Sequence, residues 1–261
     1  MDLALWVAKS GLEAHHKNIA IISNNLANAS TTGFKKNRPE FADLAYQAII
    51  QPGSSSTAQT KIPGGVMIGT GVKLADNKKI FTQGPAQQTD NALDIAIEGR
   101  GFLQIQIPNQ SEFAYTRTGS LQVNEQGQLV LHNGYVVQPP ITLPPEVQNI
   151  SISQDGVISV TSGSGTEEQV GQLELVDFVN PTGLEALGDN LYKETLISGA
   201  PVTGTATQNG FGTVRQYQLE ASNVNVVEEM VNLIEAQRAF EMTSKVVSAI
   251  DNMYQKLDRE T

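Results

Sequence analysis

Apolar residues recur at sevens at both ends of the chain and follow a different rule between them. Near the start, Leu5, Leu12, Ile19 and Leu26 form one column, with Ala8, His15, Ile22 and Ala29 three positions further along. That spacing puts one narrow apolar stripe on a helix, a seam rather than a broad core-facing side. It predicts a helix over residues 3–28, stopping in "NASTTGF", where Asn28, Ser30 and Thr31 compete for backbone hydrogen bonds and Gly33 can take a positive φ. Near the end, Val226, Leu233, Phe240, Val247 and Tyr254 fall at sevens. Ala236, Thr243, Ile250 and Leu257 make a second column, and Met230 and Ile234 widen the stripe. No Gly or Pro interrupts residues 224–257, so the pattern predicts one helix of about 50 Å at 1.5 Å per residue.

A helix of that length with so narrow an apolar stripe is marginal alone in water and needs a second surface. The N-terminal seam, folded back antiparallel, supplies one within the same chain. Small side chains at Ala8, Ala236, Ala239, Ser244 and Ser248 suit helices that meet several neighbours. Periodicity leaves three outcomes open: a helical hairpin within one chain, a closed dimer, or an open polymer built through a heterologous contact that does not close.

Between the ends the period drops to two. "DIAIEGRGFLQIQI" alternates or runs apolar through Ile95, Ile97, Phe102, Leu103, Ile105 and Ile107; "LVLHNGYVVQ" sets Asn133-Gly134 between apolar runs as a type I′ hairpin turn, and "ISISQDGVISV" does the same at Asp155-Gly156. From Pro39 to about Gly71 the chain reads as irregular, and "QPGSSSTAQT" has the composition of a flexible linker. The Pro pairs of "QPPITLPPEV" suggest a seam near 139–147. The predicted fold class is α+β: long N- and C-terminal helices pairing as a coiled-coil domain, with a β-rich middle looped out between them. Its parts are residues 1–33 (N-terminal helix), 34–75 (extended connection), 76–221 (β-rich outer portion) and 222–261 (C-terminal helix).

Composition narrows the chemistry. With 39% hydrophobic and 6% aromatic residues, 23 Gly and 11 Pro, the middle suits short strands and tight turns rather than a helix-rich α/β enzyme. The formal net charge of −10 lies mainly on residues 34–221, which repels phosphate backbones; "FKKNR" is too short a basic run for nucleic acid. The absence of cysteine excludes disulfides, thiolate metal sites and cysteine nucleophiles. Lys9, Glu13, His15, His16 and Lys17 interrupt the N-terminus, so no cleavable secretory signal is expected, and no stretch has the roughly 20 apolar residues of a membrane span.

His15, His16 and His132 show no ligand spacing, so no metal is expected. "GGVMIGTGVK" and "GRGFLQ" lack the glycine order of nucleotide loops, so neither is a cofactor site. Asp90 with Asp94, or Glu167 with Glu168, lie in polar, turn-like contexts that do not suit a glycosidase carboxylate pair. No catalytic residue is predicted.

The run "LEASNVNVVEEMVNLIEAQRAFEMTSKVVSAIDNMYQKL" closely resembles the C-terminal signature of bacterial flagellar rod and hook proteins. "SGLEAHHKNIAIISNNLANASTTGFKKNRPEF" is similar to their N-terminal signature, and "IEGRGFLQI", "AYTRTGSLQVNEQGQLVLHNGYVV" and "NLYKET" to their central motifs. Within that family, "DLAYQAIIQPGSSS", "IGTGV" and the chain length resemble the distal-rod members more than the proximal-rod or the longer hook proteins. A secreted fibre or adhesin shares the β middle but does not require both end helices.

The resemblance implies a self-assembling, non-enzymatic subunit of a rigid tubular drive shaft, carrying motor torque across the periplasm to the hook. It also implies export through the flagellum's own apparatus. The implied partners are further copies of the chain, proximal rod proteins, the hook protein or a hook-side axial protein, the surrounding P- and L-ring proteins, and the rod cap. Self-association is expected through Leu5, Leu12, Ile19, Ile22, Leu26, Val226, Met230, Leu233, Ile234, Phe240, Val247, Ile250, Tyr254 and Leu257. The resemblance further implies that Gln51, Pro52, Gly53, Ser54, Ser55 and Ser56, a linker by composition, pack between subunits and stiffen the tube.

Overall fold

The computed structural model describes residues 3–51, 64–108, 112–145, 147–163 and 166–260, with side chains to residue 256. The chain divides into two units. The first comprises residues 1–27, 37–79 and 225–261; the second comprises residues 28–36 and 80–224.

The first unit is built on helices α1 (Leu3–Ala27) and α2 (Val226–Glu260), the two that heptad spacing predicts. Asn225 starts α2: its Oδ1 accepts from the Val227 and Glu228 N–H groups, and Glu228 and Glu229 place carboxylates in the first turn, where the helix dipole favours them. The helices run antiparallel, since Asn25 meets Glu229 while Gly11, fourteen residues earlier on α1, lies against Thr243, fourteen residues later on α2. The described part of residues 39–71, expected to be irregular, holds paired strands instead. Asn37–Asp43 pairs antiparallel with Val72–Lys79, and Tyr46–Ile50 with Val66–Gly69. Strands this short show no sustained alternation, and pairing partners more than they do propensity decide their conformation.

The second unit is β-rich. Its nine-stranded sheet runs Glu185–Gly188, Leu191–Lys193, Phe113–Thr116, Phe102–Gln106, Val136–Gln138, Leu129–Leu131, Leu121–Val123, with Glu174–Asp177 also pairing to Phe102–Gln106 and to Val202–Thr205. A three-stranded sheet, Val147–Ile152, Val157–Ser162 and Glu167–Gln172, lies beside it, and the two share one core containing Ile105, Leu129, Ile158 and Leu175. Ile141 and Leu143, between the Pro pairs, are buried in that same core. A second cluster stacks Phe81, Phe102, Tyr115, Phe178 and Tyr192 edge to face, with centroids 4.8–6.1 Å apart.

The hairpin turns differ from the type expected. Among the described residues Gly134 and Gly156 have positive φ but Asn133 and Asp155 do not, whereas a type I′ turn needs both central residues positive. Each glycine instead closes a turn begun three residues earlier: Gly134 N–H donates to the Leu131 carbonyl and Gly156 N–H to that of Ser153. Leu131 N–H then reaches Tyr135 O, and Ser153 N–H reaches Val157 O. Gly127, with Asn124 and Gln128, repeats the arrangement, the type I turn with a left-handed glycine that suits three-residue hairpin loops.

Candidate self-association surface

Within one chain the column nearer α1 is Glu229, Ala236, Thr243 and Ile250; Ala236 and Ile250 are buried and Thr243 half-buried. On α1, Asn25 bonds Glu229, Gly11 lies against Thr243 and Ala8 shares a groove with Thr243 and Ile250; these small or polar residues let the backbones come close. Leu233, Phe240 and Val247 are half-buried, as are Leu5, Leu12, Ile19 and Leu26. Val226 and Tyr254, at the ends of their column, are exposed. The Leu257 side chain lies outside the described residues, and so do Pro52, Gly53, Ser54, Ser55 and Ser56; Gln51 is exposed.

Much apolar surface is left uncovered in this unit. On the first turns of α2, Val227, Met230, Val231 and Ile234 stand between about half and three-quarters exposed. Their spacing of three, four and seven places them on one side of the helix. On the later turns Met242, Val246 and Met253 are exposed. Met242 and Val246 border a groove of about 700 Å³ that is also lined by Leu3, Val7, Ile68 and Ile250. The strand pair Tyr46–Ile50 and Val66–Gly69 adds exposed Tyr46, Ile49, Val66 and Met67. Heptad counting does not single out these hairpin residues. Their signal is the two apolar runs "YQAII" and "VMIG" flanking a Ser/Gly stretch.

Charge is sparse along the seam and local where it occurs. Lys17 pairs with Glu13 at 2.8 Å one turn away and holds that carboxyl below its usual range. Lys9 lies 5.7 Å from the centre of the exposed Trp6 ring. Among the described side chains of α2 the one buried carboxylate is Glu229: its Oε2 accepts from Asn25 Nδ2 at 3.2 Å, while Asn25 also clasps the backbone of Asn37 at 2.8 and 2.9 Å. In the sequence the Asn-rich end of α1 reads only as a stop signal and gives no sign of this contact.

Among the described residues no group of three or more His, Asp or Glu could hold a metal ion. Asp94 is engaged by Asn91 within its own loop, and Glu167 and Glu168 are exposed on a strand. No described helix is long and apolar enough to cross a membrane.

The chain thus combines two paired terminal helices that leave much apolar surface exposed with a β-rich unit inserted between them in sequence. Residues 5–35 match the family described as Flagella basal body rod protein, residues 96–160 the Flagellar hook protein FlgE/F/G D1 domain, and residues 215–260 the Flagellar basal body rod FlgEFG protein C-terminal. The chain is 48% identical over 257 residues to the flagellar basal-body rod protein FlgG of Buchnera aphidicola subsp. Schizaphis graminum, covering 98% of each chain. It is 47% identical over 254 residues to that of Caulobacter vibrioides, covering 97% of each, and 34% identical over 259 residues to that of Bacillus subtilis, again covering 97% of each. The crystal structure of Helicobacter pylori flagellar hook protein FlgE2 aligns with a TM-score of 0.25 at 16% identity, over 71% of this chain and 43% of that one. The chain belongs to the FlgG family of flagellar basal-body rod proteins.

Proposed function

We propose that this chain is a structural subunit of the flagellar distal rod, which polymerises with copies of itself into a stiff tube. Near full-length similarity to FlgG proteins supports this reading. The observation that carries its mechanism is the exposed apolar side of α2. A protein in water does not leave so much contiguous apolar surface bare unless something covers it, and a heterologous contact between identical copies extends without closing. The seam residues Leu5, Leu12, Ile19, Ile22 and Leu26 then pair as a coiled coil with Leu233, Phe240, Val247 and Ile250. Val226, Met230, Ile234 and Tyr254 face neighbouring copies.

In this reading the rod runs through the periplasm toward the outer membrane and reaches its place through the flagellum's own export channel. It is bordered by proximal rod proteins below, hook-side axial proteins above and the P- and L-rings around it. The chain contributes stiffness and contact surface, not catalysis.

The test is replacement of Ile234 by Glu. In one chain this side chain is about half exposed, so the monomer should keep its helical circular dichroism and its melting curve. Polymer formation, followed by light scattering and electron microscopy, should be lost. Normal rods from the Ile234→Glu chain would remove α2's outer side from the interface.

A further inference from the structure

The chain crosses between its two units four times, at 27/28, 36/37, 79/80 and 224/225, and three segments that flank these crossings are fastened to one another inside the second unit. Ile80 N–H donates to the Lys36 carbonyl. Asn223 Oδ1 accepts from Lys36 N–H at 2.7 Å, and its Nδ2 donates to the carbonyls of Ile80 and Thr82. Beneath this lies a buried charge cluster. Glu220 Oε1 accepts from Lys35 Nζ at 2.5 Å and from Gly84 N–H at 3.0 Å, and Oε2 accepts from Arg117 Nε at 3.0 Å. Lys35 also donates to Thr82 O, and Arg117 to the carbonyls of Gly99 and Gly101. Lys35, Arg117 and Glu220 are each at most 5% exposed.

We infer that Glu220 is a latch, a single carboxylate that holds the connecting segments around residues 28–36, 80–84 and 218–224 to the β core through Arg117. It ties force arriving along any one connector to the other two. The physical basis is an imbalance: two buried cations share one anion, so each relies on Glu220, and its loss leaves both short of a counter-charge in a low-dielectric site. Sterics tighten the same joint. A Cβ on Gly84 would lie 2.0 Å from Ala221 O, so only glycine lets the 80–84 segment approach closely enough for its N–H to reach the carboxylate. Lys35 and Glu220 are 185 residues apart in sequence, so the latch closes only once both ends of the second unit have arrived. This rests on the rod reading only for why such a joint is useful.

The experiment uses the dilute, unpolymerised full chain, so its outcome is independent of whether the chain builds rods. Trypsin cleavage after Lys36 and amide exchange of residues 33–36 report on the joint; Arg38 precedes Pro39 and is not cut. Glu220→Gln should raise cleavage after Lys36 about a hundredfold, the scale expected when a buried pair is broken and cleavage follows local opening. Exchange in Phe102–Gln106 and Phe113–Thr116 should hardly change. Wild-type protection of residues 33–36 in Glu220→Gln would overturn the latch. Should that variant unfold the whole unit, Gly84→Ala decides with every charge in place: faster cleavage after Lys36 upholds the latch and an unchanged rate overturns it.

Discussion

Tyr115 is 1% exposed and meets Phe178 edge-on at 4.8 Å. Burial first, and the charge of Glu194 second, push its phenol up from the ordinary 10 to about 12. Tyr192 is raised in the same direction, mainly by burial. Between those two values the folded chain holds a proton that the unfolded chain has released. The stability that this shift contributes is therefore whole below about pH 10 and is lost as pH rises toward about 12. A rise of two units corresponds to about 3 kcal/mol. Urea unfolding at about pH 9 and about pH 11.5 should show a loss of that order. Tyr115→Phe should remove most of its share and leave that of Tyr192; an unchanged slope in the variant would mean that the Tyr115 phenol titrates as if exposed.

Among the secondary-structure elements, α1 and α2 show how one polar residue can set the register of an apolar seam. Asn25 joins the last turn of α1 to the first turn of α2 and to the strand Asn37–Asp43. Asn25→Ala leaves the Glu229 carboxylate buried without this donor and should cost about 2 kcal/mol in unfolding followed by helical ellipticity. Asn25→Asp should cost more, because it sets a second carboxylate beside the first. A loss in both variants no larger than that of an exposed control such as Glu13→Ala would deny Asn25 that role. The three glycine-closed hairpins make a related point. Their glycines are plain in the sequence, but the turn type is set by how each turn meets its paired strands.

For the whole molecule, charge divides with the units. The second unit carries six basic and fifteen acidic side chains, while the first is nearly balanced, with eleven against twelve. In the proposed polymer the net negative second units of neighbouring copies would repel one another, so assembly should speed up as salt rises from about 0.02 to about 0.3 M, where the screening length falls below 10 Å. Light-scattering rates that fall with added salt would instead place attractive charge pairs in the interface. A chain ending at Val224 keeps Glu220 and Asn223 but lacks α2. It should keep the near-ultraviolet signal of the buried Tyr115 and Tyr192, lose the ellipticity of residues 3–27, and form no polymer.

Helix positions were readable from local periodicity: residues 3–28 and 224–257 were expected, and Leu3–Ala27 and Val226–Glu260 are found. The alternation around Ile95 and Ile105 likewise placed strands, because side-chain period along a strand or helix is a property of a few neighbouring residues. The family was legible for the same reason, in contiguous motifs at both ends and in the middle. Contacts between distant residues were not. Glu229 finds Asn25 across 204 residues, and Glu220 finds Lys35 and Arg117 across 185 and 103. In the sequence each is one polar residue among many. Burial and backbone course, which only the tertiary structure sets, decide which carboxylates lose their water and must find a partner.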